Sequence, residues 1–379
     1  MLGSCAIRMP CSSVSHDFSR KGPVARSKVK KPRRSPGRFR IAVWVLAVAA
    51  AVIPIPAEWV ERFYWRSFYL KLQPALTSLS DLVPVALLDI AIVLLLGVMV
   101  KVFVGARQGG GWTAAVTATL MWLLTTTAVI YLLFLITWGF NYRRVPLEAK
   151  LDFDRSRVSR EAAVRLATEA TARLNAGHAR AHAETFQPEA LRHALVDAQW
   201  IVARTFTFTT GRPKKSLFGF YFRKAAIDGM TVPVFLEIIL NPDLLPVEQP
   251  SVLGHEWAHL GGYADESEAN FMAWLAGIRS GDPVAQYSAW LDAYRVSVNA
   301  LPRKVRTTLP VLAEGPRADL AAIAQRYERT SPMVRTAARG VYDSYLRANR
   351  IDEGIANYEV VLQLMLGTKF DADWTPGIR

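Results

Sequence analysis

Two kinds of hydrophobic pattern divide this chain. Ile41 to Ala57 is apolar without a charge, Leu82 to Val100 is interrupted only by Asp89, and Trp112 to Phe140 carries no charge at all. A helix needs roughly 20 apolar residues to cross about 30 Å of hydrocarbon, and Pro54 and Pro56 close the first run. The pattern predicts three transmembrane helices, at about 41–57, 82–100 and 112–140. Beyond them, apolar residues recur at three-to-four spacing, which predicts amphipathic helices packed into a core. Ser159 should cap a helix running to Asn175 and ended by Gly177. Further helices are expected at Glu189–Thr205, Val284–Asn299, Ala318–Arg329, Pro332–Asn349 and Gly354–Leu366. Strand signals are few. The clearest is Met230–Leu240, where Pro233 predicts an edge position. The expected fold is therefore membrane-anchored and mainly α, with three N-terminal transmembrane helices and a mostly helical domain, 141–379, holding a small edge-strand sheet.

Charge sharpens this picture. The formal net charge of +14 looks like a nucleic-acid signature until it is located: residues 1 to 40 hold eleven Lys/Arg against the single Asp17. The basicity belongs to a tail, read as cytoplasmic and lying against anionic lipid, with no nucleic-acid partner. Lys101 and Arg107 follow the second apolar run, and the positive-inside bias places the N-terminus in the cytoplasm and the 141–379 domain on the outer side of a bacterial inner membrane. Asp89, near one end of its span, is read as a polar contact close to the outer interface. Cys5 and Cys11, the only cysteines, both sit in the tail. Any metal bound by the remainder must be held by His and carboxylates.

Such a set exists in Gly254-His255-Glu256-Trp257-Ala258-His259-Leu260-Gly261-Gly262, an H-E-x-x-H motif. On a helix, His255 and His259 lie on one face and can close on a single zinc ion, with Glu256 as the general base. Pro250 suits the first turn of that helix, and Gly261-Gly262 suits its end. A catalytic zinc takes three protein ligands and keeps a fourth position open. The candidates for the third are Glu266, Asp265 and Glu268. If the next helix runs from about Ala264 to Ser280, Glu266 shares a face with Asn270, Ala273 and Gly277, the last two small enough to let the zinc helix approach. Glu266 is then favoured as ligand, and Asn270 would hydrogen-bond a zinc-bound imidazole. Asp265 would instead give a metzincin-like spacing.

Glu266-Ser267-Glu268-Ala269-Asn270 resembles the E-x-x-A-D third-ligand helix of membrane-bound gluzincin peptidases, with Asn270 where those carry Asp. The whole layout is similar to a bacterial membrane family, domain of unknown function 3810. That resemblance covers about residues 41 to 367. It rests on H-E-W-A-H, on Glu268 to Phe271, on Trp138-Gly139-Phe140-Asn141-Tyr142, on the strand leading to Glu237, and on Gly354-Ile355-Ala356-Asn357-Tyr358. It implies a zincin-like fold and a zinc-dependent peptidase, and brings no substrate.

These readings converge on a membrane zinc metallopeptidase acting on a peptide or protein of the cell envelope: His255, His259 and Glu266 bind Zn²⁺, Glu256 is the base, and Tyr358 is a candidate oxyanion donor. Two other functions use the same residues, a zinc-stabilised sensor or scaffold and a cell-wall peptide amidase. His178 and His182 are also four apart but lack the Glu, and read as a solvated helix end; His193 reads as structural or exposed. Lys214, Lys215, Arg223 and Lys224, interleaved with Phe218, Phe220, Tyr221 and Phe222, read as a lipid-facing or cleft-rim patch.

Overall fold

The computed structural model describes residues 36–205, 208–349 and 358–379, so most of the basic tail, with Cys5 and Cys11, lies outside the described residues. The chain opens with α1 (Pro36–Val52), α2 (Ala57–Trp59), a π-helical stretch at Val60–Tyr69, α3 (Leu70–Asp81) and α4 (Leu87–Thr137). Then come α5 (Arg160–Ala183), α6 (Pro188–Ala203), β1 (Pro213–Lys214), α7 (Gly219–Ala225), β2 (Gly229–Val232) and β3 (Glu237–Leu240). The remainder is helical: α8 (Gln249–Leu260), α9 (Glu266–Arg279), α10 (Pro283–Ala300), α11 (Arg303–Arg306), α12 (Glu314–Glu328), α13 (Pro332–Ala348) and α14 (Tyr358–Gly367). The mainly helical expectation holds, and the small sheet is present.

The three separate transmembrane helices are not found. Among the described residues one helix, α4, is long and apolar enough to cross a membrane, and α1 passes the same test only together with Ala57–Asp81, to which it is bent by 114°. Pro54 and Pro56 make that bend, since neither can continue the helical ladder. Within α4 the second and third apolar runs are two helices that meet at Gly111, whose φ 75 and ψ −163 are not helical, while the segment through Gly109 and Gly110 stays helical up to that point. A straight helix of 51 residues would be about 75 Å long at 1.5 Å per residue. Yet Leu87 N–H donates to Glu237 on β3 at 2.9 Å, and Trp138, just past the other end, donates from Nε1 to the His259 carbonyl on α8 at 2.9 Å. Both anchors lie on one small block of structure, so α4 folds back at Gly111. Only 6% of its most apolar window is buried, unlike a helix in a soluble core.

The single strand expected at Met230–Leu240 is instead a hairpin. Residues 233–236 turn, with Pro233 unable to donate to a ladder and Leu236 at φ 48. β2 pairs antiparallel with β3, Val232 opposite Glu237, and β1 pairs parallel to it, so the order is β1-β3-β2 and β3 is central. Only β2 keeps the predicted edge position.

The helices begin where their caps dictate. Ser159 accepts from Ala162 N–H at the start of α5, Asp282 from Ala285 N–H before α10, and Pro188 and Pro283 occupy first-turn positions. α5 differs from expectation: Gly177 faces Tyr287 of α10 rather than ending the helix, which continues through His178 and His182 to Ala183. The core centres on α9, whose Phe271, Met272, Trp274, Leu275 and Ala276 are fully or almost fully buried. Gly254 of α8 packs on Ala273 as the small-residue face suggested, whereas Gly277 packs on Ala289 of α10. Trp65 and Tyr69, from before the apolar helix, belong to the same core and are completely buried.

Candidate metal centre

α8 presents His255, Glu256 and His259 on consecutive turns, and the tight Gly261-Gly262 turn brings α9 back beside it. Gly262 has φ +90, and a Cβ there would lie 2.6 Å from Trp65 Nε1, so glycine is required. The last carbonyls of α8 have no partner within the helix. Residues from before and after α4 supply them: Trp138 Nε1 donates to His259 O at 2.9 Å, Tyr69 Oη to Leu260 O at 2.8 Å, Trp65 Nε1 to Gly261 O at 3.1 Å, and Arg144 to Gly262 O at 2.7 Å. The segments flanking α4 thus hold the end of the H-E-x-x-H helix.

Among the three third-ligand candidates, the structure brings Glu266 to the histidines. His255 Nε2 lies 3.2 Å from Glu266 Oε2, and His259 Nε2 lies 3.4 Å from Glu266 Oε1. One ligand atom from each of the three residues lies within 4.8 Å of the others. Asp265 is the N-cap of α9, accepting from Ser267 and Glu268 N–H. Glu268 turns away and accepts from Leu147 N–H at 2.6 Å. Burial and the Asp265 charge push the Glu268 carboxyl up to about 7.

Asn270 does not take the role expected of it. His259 Nδ1 faces the Tyr263 carbonyl at 2.7 Å, because the glycine turn carries that carbonyl under the ring. His255 Nδ1 is buried without a hydrogen-bond partner among the described residues, and Asn270 reaches neither ring. With Nδ1–H donated to Tyr263, His259 offers Nε2 to the centre. Burial works against charge on Glu266, but the two imidazoles and their hydrogen bonds outweigh it and hold its carboxyl well below the usual range. Burial works against charge on His259 too, but Glu266 and Glu256 raise it to about 9.

Glu256 sits between α8 and β2. Its Oε2 accepts from the Thr231 hydroxyl at 2.7 Å. A Cβ on Gly229 would lie 2.5 Å from its Oε1, so β2 can run this close only because that residue has no side chain. Burial raises the Glu256 carboxyl, with His255 and His259 pulling the other way.

Sequence reasoning missed the aromatic wall of the site. The Trp138 ring meets His259 edge-on at 5.8 Å, Tyr142 packs on Trp138, and Tyr345 and Tyr342 stack beside them. Tyr342 on α13 donates its hydroxyl to Glu266 Oε1. No spacing rule connects residues 138, 142, 342 and 345; the only advance signal was the Trp138–Tyr142 segment. Tyr358 is the first residue of α14, and its side chain lies outside the described residues.

Lys214 is not part of the surface patch. It is buried, with Nζ on Glu237 Oε2 at 2.9 Å and on the Ser80 carbonyl at 2.8 Å. Asp89 accepts from Ser216 Oγ and Leu217 N–H, both at 2.7 Å, so it is a satisfied contact at the first turn of α4. His193 is exposed.

A family model described as protein of unknown function (DUF3810) matches residues 64–366. No curated protein and no solved structure matches the chain.

Proposed function

We propose that this chain, which belongs to the DUF3810 family, is a membrane-anchored zinc-dependent peptidase. The observation that carries the proposal is the convergence of His255, His259 and Glu266 beside a buried Glu256. Two imidazole nitrogens and one carboxylate form the donor set of a catalytic zinc with an open fourth position. The ring orientation fits, since the Tyr263 carbonyl leaves His259 Nε2 facing inward. Zinc bound there supplies Lewis-acid activation of water and of a peptide carbonyl.

The chain's own residues do the rest. Glu256, steadied at Oε2 by Thr231, takes a proton at Oε1 from the water that attacks the peptide carbonyl and passes it to the leaving amine as the C–N bond breaks, and its raised pKa suits both steps. β2 is one of the two edge strands of the sheet and runs past Glu256, so an extended peptide can add to it as a further strand. Tyr342 holds Glu266 in place, and Tyr358 remains a candidate for the oxyanion.

α4 supplies the membrane anchor. Its two ends return to the domain while Lys101 and Arg107 lie toward its Gly111 turn, so the positive-inside bias favours that turn in the cytoplasm and the centre outside, facing envelope peptides; the basic tail then shares the cytoplasmic side by α1 crossing once. A reporter active only outside the inner membrane, fused after Leu147, should give signal; activity from a cytoplasmic reporter there would reverse the topology. Purified full-length protein should cleave members of a mixed library of unfolded-protein and cell-wall peptides, and Glu256→Gln should lower turnover about 10²–10⁴-fold while keeping the fold, as loss of a general base does. Wild-type protein that binds zinc and cleaves nothing would make the centre that of a sensor or scaffold.

A further inference from the structure

We propose that His178, His182 and Asp319 form a second divalent-cation site, of the zinc type, joining α5 to α12. His178 and His182 are four residues apart on the last turns of α5, with ring centroids 4.3 Å apart. Their Nε2 atoms lie 3.6 and 3.0 Å from the same oxygen, Asp319 Oδ2, on α12. One ligand atom from each residue falls within 4.8 Å of the other two. This repeats the arrangement at the first centre, where two imidazoles one turn apart face a carboxylate from another helix.

Three further observations favour a cation over an ion pair. Tyr287 Oη on α10 donates to Asp319 Oδ2 at 2.6 Å and fixes the carboxylate, as partners of metal ligands do. Gly315, one turn before Asp319, lies against the His178 ring so closely that a Cβ would overlap it, and α12 can approach only because that position is glycine. His178 Nε2, at 3.6 Å, is too far from Oδ2 for a hydrogen bond, yet it points at the oxygen that already serves His182 and Tyr287. A cation among the three ligand atoms satisfies all of them. Two nitrogens and one oxygen select zinc and its neighbours over magnesium or calcium. His182 is 45% exposed, so an open coordination position faces water.

The consequence is mechanical. α12 also carries Arg326, which grips buried Glu248 at the start of α8 with two bonds of 2.6 and 2.8 Å and reaches Asp228 before β2 at 2.9 Å. A cation fixing α12 to α5 braces the helix that carries His255 and His259 from behind.

The test is zinc stoichiometry of full-length protein in detergent, purified without a polyhistidine tag, stripped by chelator and retitrated. Wild type should bind two equivalents. His178→Ala/His182→Ala should bind one, and a His255→Ala/His259→Ala variant should keep the one that a further His182→Gln removes. Zinc should raise the melting temperature of His255→Ala/His259→Ala, and adding His182→Gln should abolish that rise. His182→Gln, at a half-exposed position, covers the case in which the double alanine variant does not fold. Unchanged stoichiometry in both His178→Ala/His182→Ala and His182→Gln would overturn the second site. Loss of an equivalent there with none lost from His255→Ala/His259→Ala would overturn the first centre and leave the second standing.

Discussion

Glu237 offers a quantitative test of how the apolar helix is tied to the sheet. Its side chain is fully buried on β3, and its carboxylate accepts from Leu87 and Leu88 N–H at 2.9 Å each, which caps the positive end of α4. It also pairs at 2.9 Å with Lys214, whose side chain is 4% exposed and which donates as well to the carbonyl and hydroxyl of Ser80. Glu237→Gln removes the carboxylate paired with that lysine and leaves one backbone N–H facing an amide. A buried charge deprived of its partner costs about 3–5 kcal/mol, and an unpaired N–H about 1–3 kcal/mol if it cannot relax, so a loss of at least about 3 kcal/mol is expected. Lys214→Met/Glu237→Gln should recover at least about 1 kcal/mol of it, because no charge is then stranded. Equilibrium unfolding in detergent micelles, followed by tryptophan fluorescence, reads both values. Glu237→Gln within about 0.5 kcal/mol of wild type, or losses that simply add in the double variant, would refute the coupling.

Gly229→Ala should keep the fold and the metal while lowering peptide turnover roughly 10²-fold, since the new methyl displaces Glu256 by about 1 Å; turnover near wild type would show that Glu256 does not depend on that spacing. Glu268, raised to about 7 from an ordinary carboxyl value of 4.5, stabilises the fold when protonated, so that contribution is complete below about pH 4.5 and lost as pH rises through about 7. Glu268→Gln should therefore be more stable than wild type at pH 8 and not at pH 4.5, read from melting temperatures at both. Leu217 and Phe220 are exposed beside the Asp89 contact at the first turn of α4 and should enter the lipid boundary. A nitroxide on Leu217→Cys, with Cys5 and Cys11 replaced by Ser, should be relaxed more by oxygen than by a water-soluble nickel chelate; the reverse would place that loop in water.

What the letters made legible was local. H-E-x-x-H, the glycine pair after it and the helical phase of Glu266 follow from a 3.6-residue period, and the structure brings these residues together. The caps at Ser159 and Pro188 are of the same kind. Asn270 failed because a helix wheel cannot show that a turn at Gly262 would carry the Tyr263 carbonyl to His259 first. The extent of α5 was misread for a related reason: Gly177 looked like a helix end, but its lack of a side chain lets α5 pack on Tyr287 and continue to Ala183, with the second histidine pair on its last turns. Long-range ties left no pattern at all. That Trp65, Tyr69 and Trp138 would cap the end of α8 depends on the return of α4 at Gly111, which brings both its ends to the domain, and no local periodicity records which carbonyls they meet.

The central claim is that Glu266, with His255 and His259, holds zinc. It is tested most directly by zinc content in a His178→Ala/His182→Ala background, where one site remains. Glu266→Ala should lose that equivalent, while Asp265→Ala, which removes only the cap of α9, should retain it. Zinc kept in Glu266→Ala and lost in Asp265→Ala would contradict the account.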